Sequence, residues 1–239
     1  MTGPDDERPG TPRATVIGIV GAESTGKTLL VKELARTLRG RGLQVATVPE
    51  ALRHFCEREG RTPRADEQHA IAQAQTRAIA EACERAPIVL ADTTALMTAV
   101  YSEVIFGDAS LQEQALRDHV RCDLTLLTAL DLPWVPDGIF RDGPQVRDRV
   151  DDCLRRMLQE GDVPHALVMG KGLRRQANAL SSIEHLLSES ARRQRVASAG
   201  ARWRWFCDNC DDGECEQHWL TRAAAKQGAS EGSGGDDVA

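Results

Sequence analysis

The chain has 239 residues, 41% of them hydrophobic and 28% charged, with a net charge of −6. The apolar content supports one full-sized core plus an appendage. The acid excess argues against general affinity for nucleic acid or an anionic membrane surface, and no apolar run approaches the ~20 residues that span a bilayer.

The lead "MTGPDDERPGTPR" is polar, rich in Pro and Gly, and lacks the apolar stretch of a signal peptide. Residues 1–13 are therefore expected to be a disordered lead, and the protein to be cytoplasmic. In that compartment the seven cysteines are reduced thiols or metal ligands. Cys56, Cys83, Cys122 and Cys153 stand singly and read as small buried residues.

"ATVIGIV" (14–20) is a β-branched run ending at a glycine, the pattern of a buried strand. After a glycine-rich loop, "KTLLVKELARTLRGRG" puts Val31, Leu34, Ala35 and Leu38 on one helical face and stops at glycine. "LQVATV" (43–48) is a second strand, closed by Pro49 and Glu50. A long helix is expected from about Arg64 to Arg85, with Ile71, Ala74, Ala78 and Ala82 as its apolar stripe. "PIVLAD" (87–92), "DLTLLTAL" (123–130) and "HALVMG" (165–170) are further strands. The last is followed by a helix through "LRRQANALSSIEHLLSES". Strands alternating with helices predict an α/β fold, a parallel sheet covered on both faces. The expected organisation is a globular domain over 14–187, a linker or helix over 188–202, a Cys/Trp-rich appendage over 203–220 and a disordered tail over 221–239.

The loop between the first strand and helix reads Gly21, Ala22, Glu23, Ser24, Thr25, Gly26, Lys27, Thr28 and fits G-x-x-x-x-G-K-[ST]. Its glycines let the backbone wrap an anion with successive N–H groups turned inward, and the following helix aims its positive end at the same point. Lys27 would reach the β- and γ-phosphates of ATP, and the Thr28 hydroxyl would ligate Mg²⁺. Asp92 ends the strand "PIVLAD" at the sheet edge where a second acidic group orients Mg²⁺ or its water. It is also a good cap for a helix starting near Thr93, and both roles are compatible. Glu50 closes the second strand and can accept a proton from, or hydrogen-bond, an acceptor hydroxyl. The bland alternative is a solvated loop residue. "PWVPDGIFRDGPQVRDR" (133–149) is Pro/Gly-rich and then basic. Arg141, Arg147 and Arg149 are spaced to cover a γ-phosphate from a mobile segment, because the planar guanidinium pairs with phosphate oxygens. Solvated surface charges are the alternative. Gln73 and Gln75 of the long helix could touch a sugar, with a solvent-facing position the simpler reading.

"GAESTGKT", "VPEALRHF", "AIAQAQTRAIA", "VLADTTALMTAVY" and above all "DLTLLTALDLPWVPDGIFRDGPQVRDRV" resemble the ribosylnicotinamide kinase domain of the bifunctional NAD-salvage proteins and related P-loop (AAA-type) ATPases. The resemblance covers about residues 14–187. It implies transfer of phosphate from ATP to nicotinamide riboside, giving nicotinamide mononucleotide. Lys27 and Thr28 would hold ATP and Mg²⁺, Glu50 and Asp92 would face acceptor and metal, and 137–149 would be a lid. Two departures stand out. The family often has Asp-Thr-Asp where this chain has Asp92, Thr93 and Thr94. The chain is also poor in rings for a nicotinamide to stack on, with Phe55, Tyr101 and Trp134 the available ones. The readings carried forward are a nucleoside kinase, a regulatory ATPase or nucleotide-sensing module, and a deoxynucleoside kinase.

"RWRWFCDNCDDGECEQHW" (202–219) has no counterpart in that resemblance. Cys207, Cys210, Cys215 and His218 offer the soft and borderline ligands of a tetrahedral Zn²⁺, with a redox pair or plain thiols as alternatives. Trp203, Trp205 and Trp219 flank this cluster and could form a protein contact. Arg192, Arg193, Arg195, Arg202 and Arg204 read as a solvated helix face rather than a nucleic-acid site.

Overall fold

The computed structural model describes residues 13–135 and 144–198. Its strands are β1 (Thr15–Val20), β2 (Val45–Val48), β3 (Ile88–Asp92), β4 (Leu124–Thr128) and β5 (His165–Val168). All pairings are parallel, in the order β2-β3-β1-β4-β5. The five strands expected from the sequence are all present. Around them run α1 (Lys27–Gly40), α2 (Ala51–Glu59), α3 (Gln68–Arg85), α4 (Ala95–Phe106), α5 (Gln112–His119), α6 (Pro144–Glu160) and α7 (Gly172–Ser198). This is the parallel, helix-flanked α/β sheet expected from the sequence.

Alternation along the strands splits the core into two layers. Ile17 and Ile19 of β1, Leu90 of β3 and Leu126 of β4 pack with Leu30, Leu34 and Leu38 of α1 and Ile183 of α7. Val20 and Leu127 turn the other way, onto Leu96 and Val100 of α4 and Leu154 and Met157 of α6. Leu34 and Leu38 are fully buried, each contributing about 2 kcal/mol of apolar burial. The α1 face expected from the sequence, Val31, Leu34, Ala35 and Leu38, is the buried one.

The long helix differs in detail. Residues Ala65–Glu67 form a 3-10 turn, and α3 proper starts at Gln68. Glu67 is the reason: its carboxylate accepts from the Arg64 backbone N–H and pairs with Arg61, closing a capping turn. The buried stripe is also rotated. Gln68, Ile71, Ala72, Gln75 and Ala82 are buried, and Ala74 and Ala78 are half-buried.

The chain divides into two compact units, Met1–Ser188 and Glu189–Ala239, of which the second is described only through the end of α7. Arg141, the appendage over 203–220 with its proposed zinc ligands, the lead up to residue 12 and the tail lie outside the described residues. Among the described residues no group of three or more His, Cys, Asp or Glu could hold a metal by itself, and no helix is long and apolar enough to cross a membrane.

Candidate phosphate-binding and phosphoryl-transfer site

The register brings three strand ends together at one sheet edge. Ile19 of β1 lies opposite Asp92 of β3, and Val48 of β2 lies opposite Ala91. The loop over 21–28 leaves β1, Asp92 ends β3, and Glu50 follows β2 as the N-cap residue of α2. The strand order thus lines up phosphate loop, Asp92 and Glu50 side by side.

The loop is held in a fixed curve. Gly21 has φ +147° and Gly26 has φ +75°, conformations open to glycine at little cost. A Cβ on Gly21 would lie 2.0 Å from Thr128 Oγ1 at the end of β4. Ser24 also has positive φ, at +54°. Beneath the loop, Thr25 Oγ1 donates to the Ala22 carbonyl at 2.7 Å, and Thr128 Oγ1 reaches Thr25 Oγ1 at 2.8 Å and the Val20 carbonyl at 3.1 Å. Lys27 is buried, its ammonium donating to the Gly21 and Ala22 carbonyls at 2.8 Å each. Gly26 offers α1 no side-chain cap, and the first turn has no acidic residue. Its N–H groups are therefore available to an anion.

Thr28 Oγ1 donates to Asp92 Oδ2 at 2.6 Å, while Asp92 Oδ1 is buried with no partner. A hydroxyl and a carboxylate in contact, with one carboxylate oxygen left over, are the hard oxygen donors that suit Mg²⁺ or its water. The residues present fit that ion. Asp92 does not cap α4. Thr94 does, its hydroxyl accepting from the Leu96 N–H at 3.3 Å. Thr94 Oγ1 also meets His119 Nδ1 at 2.8 Å, and His119 Nε2 meets Thr125 Oγ1 at 2.9 Å. Burial alone pushes His119 down to about 4, so the imidazole is neutral at pH 7. The position where an acidic residue is often found is here a cap tied to a buried histidine.

The expected lid arginines are corrected in part. Arg147 and Arg149 lie in α6, not in an irregular segment. Arg149 donates to the Val104 carbonyl at 2.9 Å. Arg147 is 6% exposed, with Nε and Nη2 buried and unpartnered. Ser24 Oγ donates to the Val135 carbonyl at 2.9 Å, which brings the start of the 133–149 segment against the loop. Trp134 Nε1 and Glu23 Oε2 are likewise buried without partners. Phe55 has the guanidinium carbons of Arg58 and Arg61 5.6 and 5.4 Å from its ring centroid, and Tyr101 packs on the α4–α6 core.

A family model described as an AAA domain matches residues 16–176. The chain belongs to this family. No curated protein matches it. Among solved structures, the domain is similar to NadR protein in complex with NAD and AMP-PNP, with 21% identity and a TM-score of 0.59 over 72% of this chain and 49% of that one. NadR protein in complex with NR gives 22%, 0.60, 72% and 50%. Thymidylate kinase from Ehrlichia chaffeensis gives 18%, 0.53, 73% and 100%. At these identities the likeness is one of fold, and the chain spans about half the length of the NadR chains.

Two residues of this AAA domain site, Arg175 and Thr128, escape sequence reading, and a third, Gln75, is buried against the simpler expectation. Arg175 on α7 donates to the Thr25 carbonyl at 2.7 Å and to Asp131 at 2.8 Å, bracing the phosphate loop from the far side. Burial opposes charge on Asp131, yet the Gly170 N–H and Arg175 hold its carboxyl below its usual range. Thr128 is the buttress under Gly21. Gln75, for which a solvent-facing position was the simpler expectation and a sugar contact the other, is 1% exposed and bonds to the Ala51 N–H and the Thr93 carbonyl. Its one sequence signal is that Gln68, Ile71, Ala72 and Gln75 share helical spacing.

Proposed function

We propose that the protein is an ATP-dependent phosphotransferase whose acceptor is the 5′-hydroxyl of a nucleoside, with nicotinamide riboside as the leading substrate. The observation that carries this reading is the row of loop, Asp92 and Glu50 on adjacent strand ends. A switch ATPase needs the first two, whereas a carboxylate at the third suits an acceptor hydroxyl.

In this reading the loop N–H groups and the start of α1 bind the β- and γ-phosphates. Lys27 and Arg147 stabilise charge on the transferring phosphoryl group, with Arg141 in the same role from the 137–149 segment. Thr28 and Asp92 hold Mg²⁺, which when bound offsets phosphate charge. Glu50 orients the 5′-hydroxyl and accepts its proton as the oxygen bonds to phosphorus and the bond to the ADP oxygen breaks. For the purine, Leu29 and Leu173 are the apolar side chains this reading assigns. Leu29 is 61% and Leu173 is 81% exposed. The Gln176 amide bonds to the Glu33 carbonyl and to Thr37 bring the start of α7 against α1. Nicotinamide riboside is favoured by the sequence resemblance over 14–187 and supported by the fold shared with NadR. For the tail, zinc held by Cys207, Cys210, Cys215 and His218 is our proposal. It is tested by metal analysis of the protein with and without residues 203–220.

The functional test is ADP release from Mg-ATP, alone and with nicotinamide riboside, with product read by mass. Nicotinamide mononucleotide in step with ADP, lost in Lys27→Ala, is the expected result. ADP without product means an ATPase, and product from thymidine instead means a deoxynucleoside kinase.

A further inference from the structure

Gln75 lies midway along the buried face of α3 and is hydrogen-bonded at both ends of its amide. Its Oε1 accepts from the Ala51 backbone N–H at 2.7 Å, and its Nε2 donates to the Thr93 carbonyl at 3.4 Å. The amide's orientation follows from chemistry: a flipped group would set its NH₂ against the Ala51 N–H, donor against donor.

Both partners sit beside residues of the proposed site. Ala51 opens α2 immediately after Glu50, and Glu50 supplies no side-chain cap hydrogen bond. Ala51 N–H is therefore one of the helix's unpaired first-turn donors, and Gln75 satisfies it from another helix. Thr93 follows Asp92 in a turn with φ +73°, rare for a β-branched residue. Its N–H donates to the Ile19 carbonyl at 3.0 Å, and its carbonyl faces Gln75. One side chain thus binds the backbone next to Glu50 and the backbone next to Asp92.

We propose that Gln75 is a positioning residue that fixes the separation of Glu50 from Asp92. The inference rests on the kinase reading in that it gives those carboxylates complementary roles, acceptor and metal. An amide is required because one end must accept while the other donates. Methionine fills the space and does neither, and glutamate keeps the acceptor but turns a carboxylate on the Thr93 carbonyl.

The test uses the full chain with Gln75→Met and Gln75→Glu, each read in two ways. Amide hydrogen exchange of the 50–59 and 92–95 segments needs no substrate, and Gln75→Met is expected to speed both at least about tenfold. In phosphate transfer from ATP to nicotinamide riboside, Gln75→Met is expected to lower kcat at least about tenfold while KM for Mg-ATP stays within about twofold. The kcat of Gln75→Glu relative to wild type is expected to climb as pH falls from 8 to 6, since a protonated carboxyl can donate to Thr93 again. A change in thermal stability with unaltered exchange in both segments overturns the proposal, as does accelerated exchange with kcat intact. Wild-type protein without transfer overturns the kinase reading instead, and exchange together with acceptor-free ATP hydrolysis then judges Gln75.

Discussion

Thr28 in the first turn of α1 and Asp92 at the end of β3 meet at 2.6 Å, hydroxyl to carboxylate, with the second carboxylate oxygen buried and unpaired. A buried unpaired acceptor is costly, and a cation or its water removes that cost. Asp92→Asn replaces one acceptor by a donor. Its expected effects are a loss of about 10–100-fold in Mg²⁺ affinity or turnover, with ATP binding in the absence of metal retained. Calorimetric titration with and without Mg²⁺ checks both. Equal Mg²⁺ dependence in the variant means that Asp92 serves the loop's shape alone.

The close approach of Gly21 to β4 predicts an unusually sensitive glycine. Gly21→Ala forces a methyl to 2.0 Å from Thr128 Oγ1 at φ +147°, and should cost roughly 2–4 kcal/mol. Adding Thr128→Ala removes the 2.0 Å contact and leaves the backbone penalty and the tight contacts with the Thr128 carbonyl and Cβ at 3.1 and 3.2 Å. Chemical denaturation should therefore show partial recovery in the double variant, and none if the clash is not the cause.

Arg175 braces the Thr25 carbonyl from α7 and is itself 5% exposed. Arg175→Met leaves Asp131 without its cation and the loop without its brace. We expect about 2–4 kcal/mol of destabilisation and an ATP affinity lowered about tenfold. An unchanged affinity in protein still folded at the assay temperature would restrict Arg175 to stability.

His119 makes stability depend on pH. Its folded pKa is lowered to about 4 by burial, against about 6.5 in the unfolded chain. Unfolding therefore takes up a proton, and stability is full above pH 6.5 and is lost as pH falls towards 4. Between pH 7 and 5 the loss from this group is about 2 kcal/mol. Urea midpoints at the two pH values measure it, and His119→Gln should flatten the difference.

Strand ends and the phosphate loop were legible because each depends on neighbours in sequence. A β-branched run, two glycines and Lys27-Thr28 carry their meaning within a few residues. Helices α2 and α5 were not legible. The α2 helix is short, with Cys56 its one buried residue, and its first donor is satisfied from Gln75. The α4 helix is buried on nearly every side, so its sequence has no polar face to give a period. The burial of Gln75 and Arg175, and the place of Arg147 in a helix, were not legible because burial of a polar side chain is decided by distant partners. Arg175 and Thr25 are 150 positions apart.

The hydroxyl chain under the phosphate loop, from Ala22 through Thr25 to Thr128, has a kinetic consequence. The loop's curve is anchored to β4 before any nucleotide arrives, so its ordering entropy is met during folding and not at the encounter. Capture then requires the Lys27 ammonium to leave the Gly21 and Ala22 carbonyls, but no refolding of the loop. Association should run at a rate set by diffusion and orientation, leaving dissociation as the step by which substitutions around the loop change affinity.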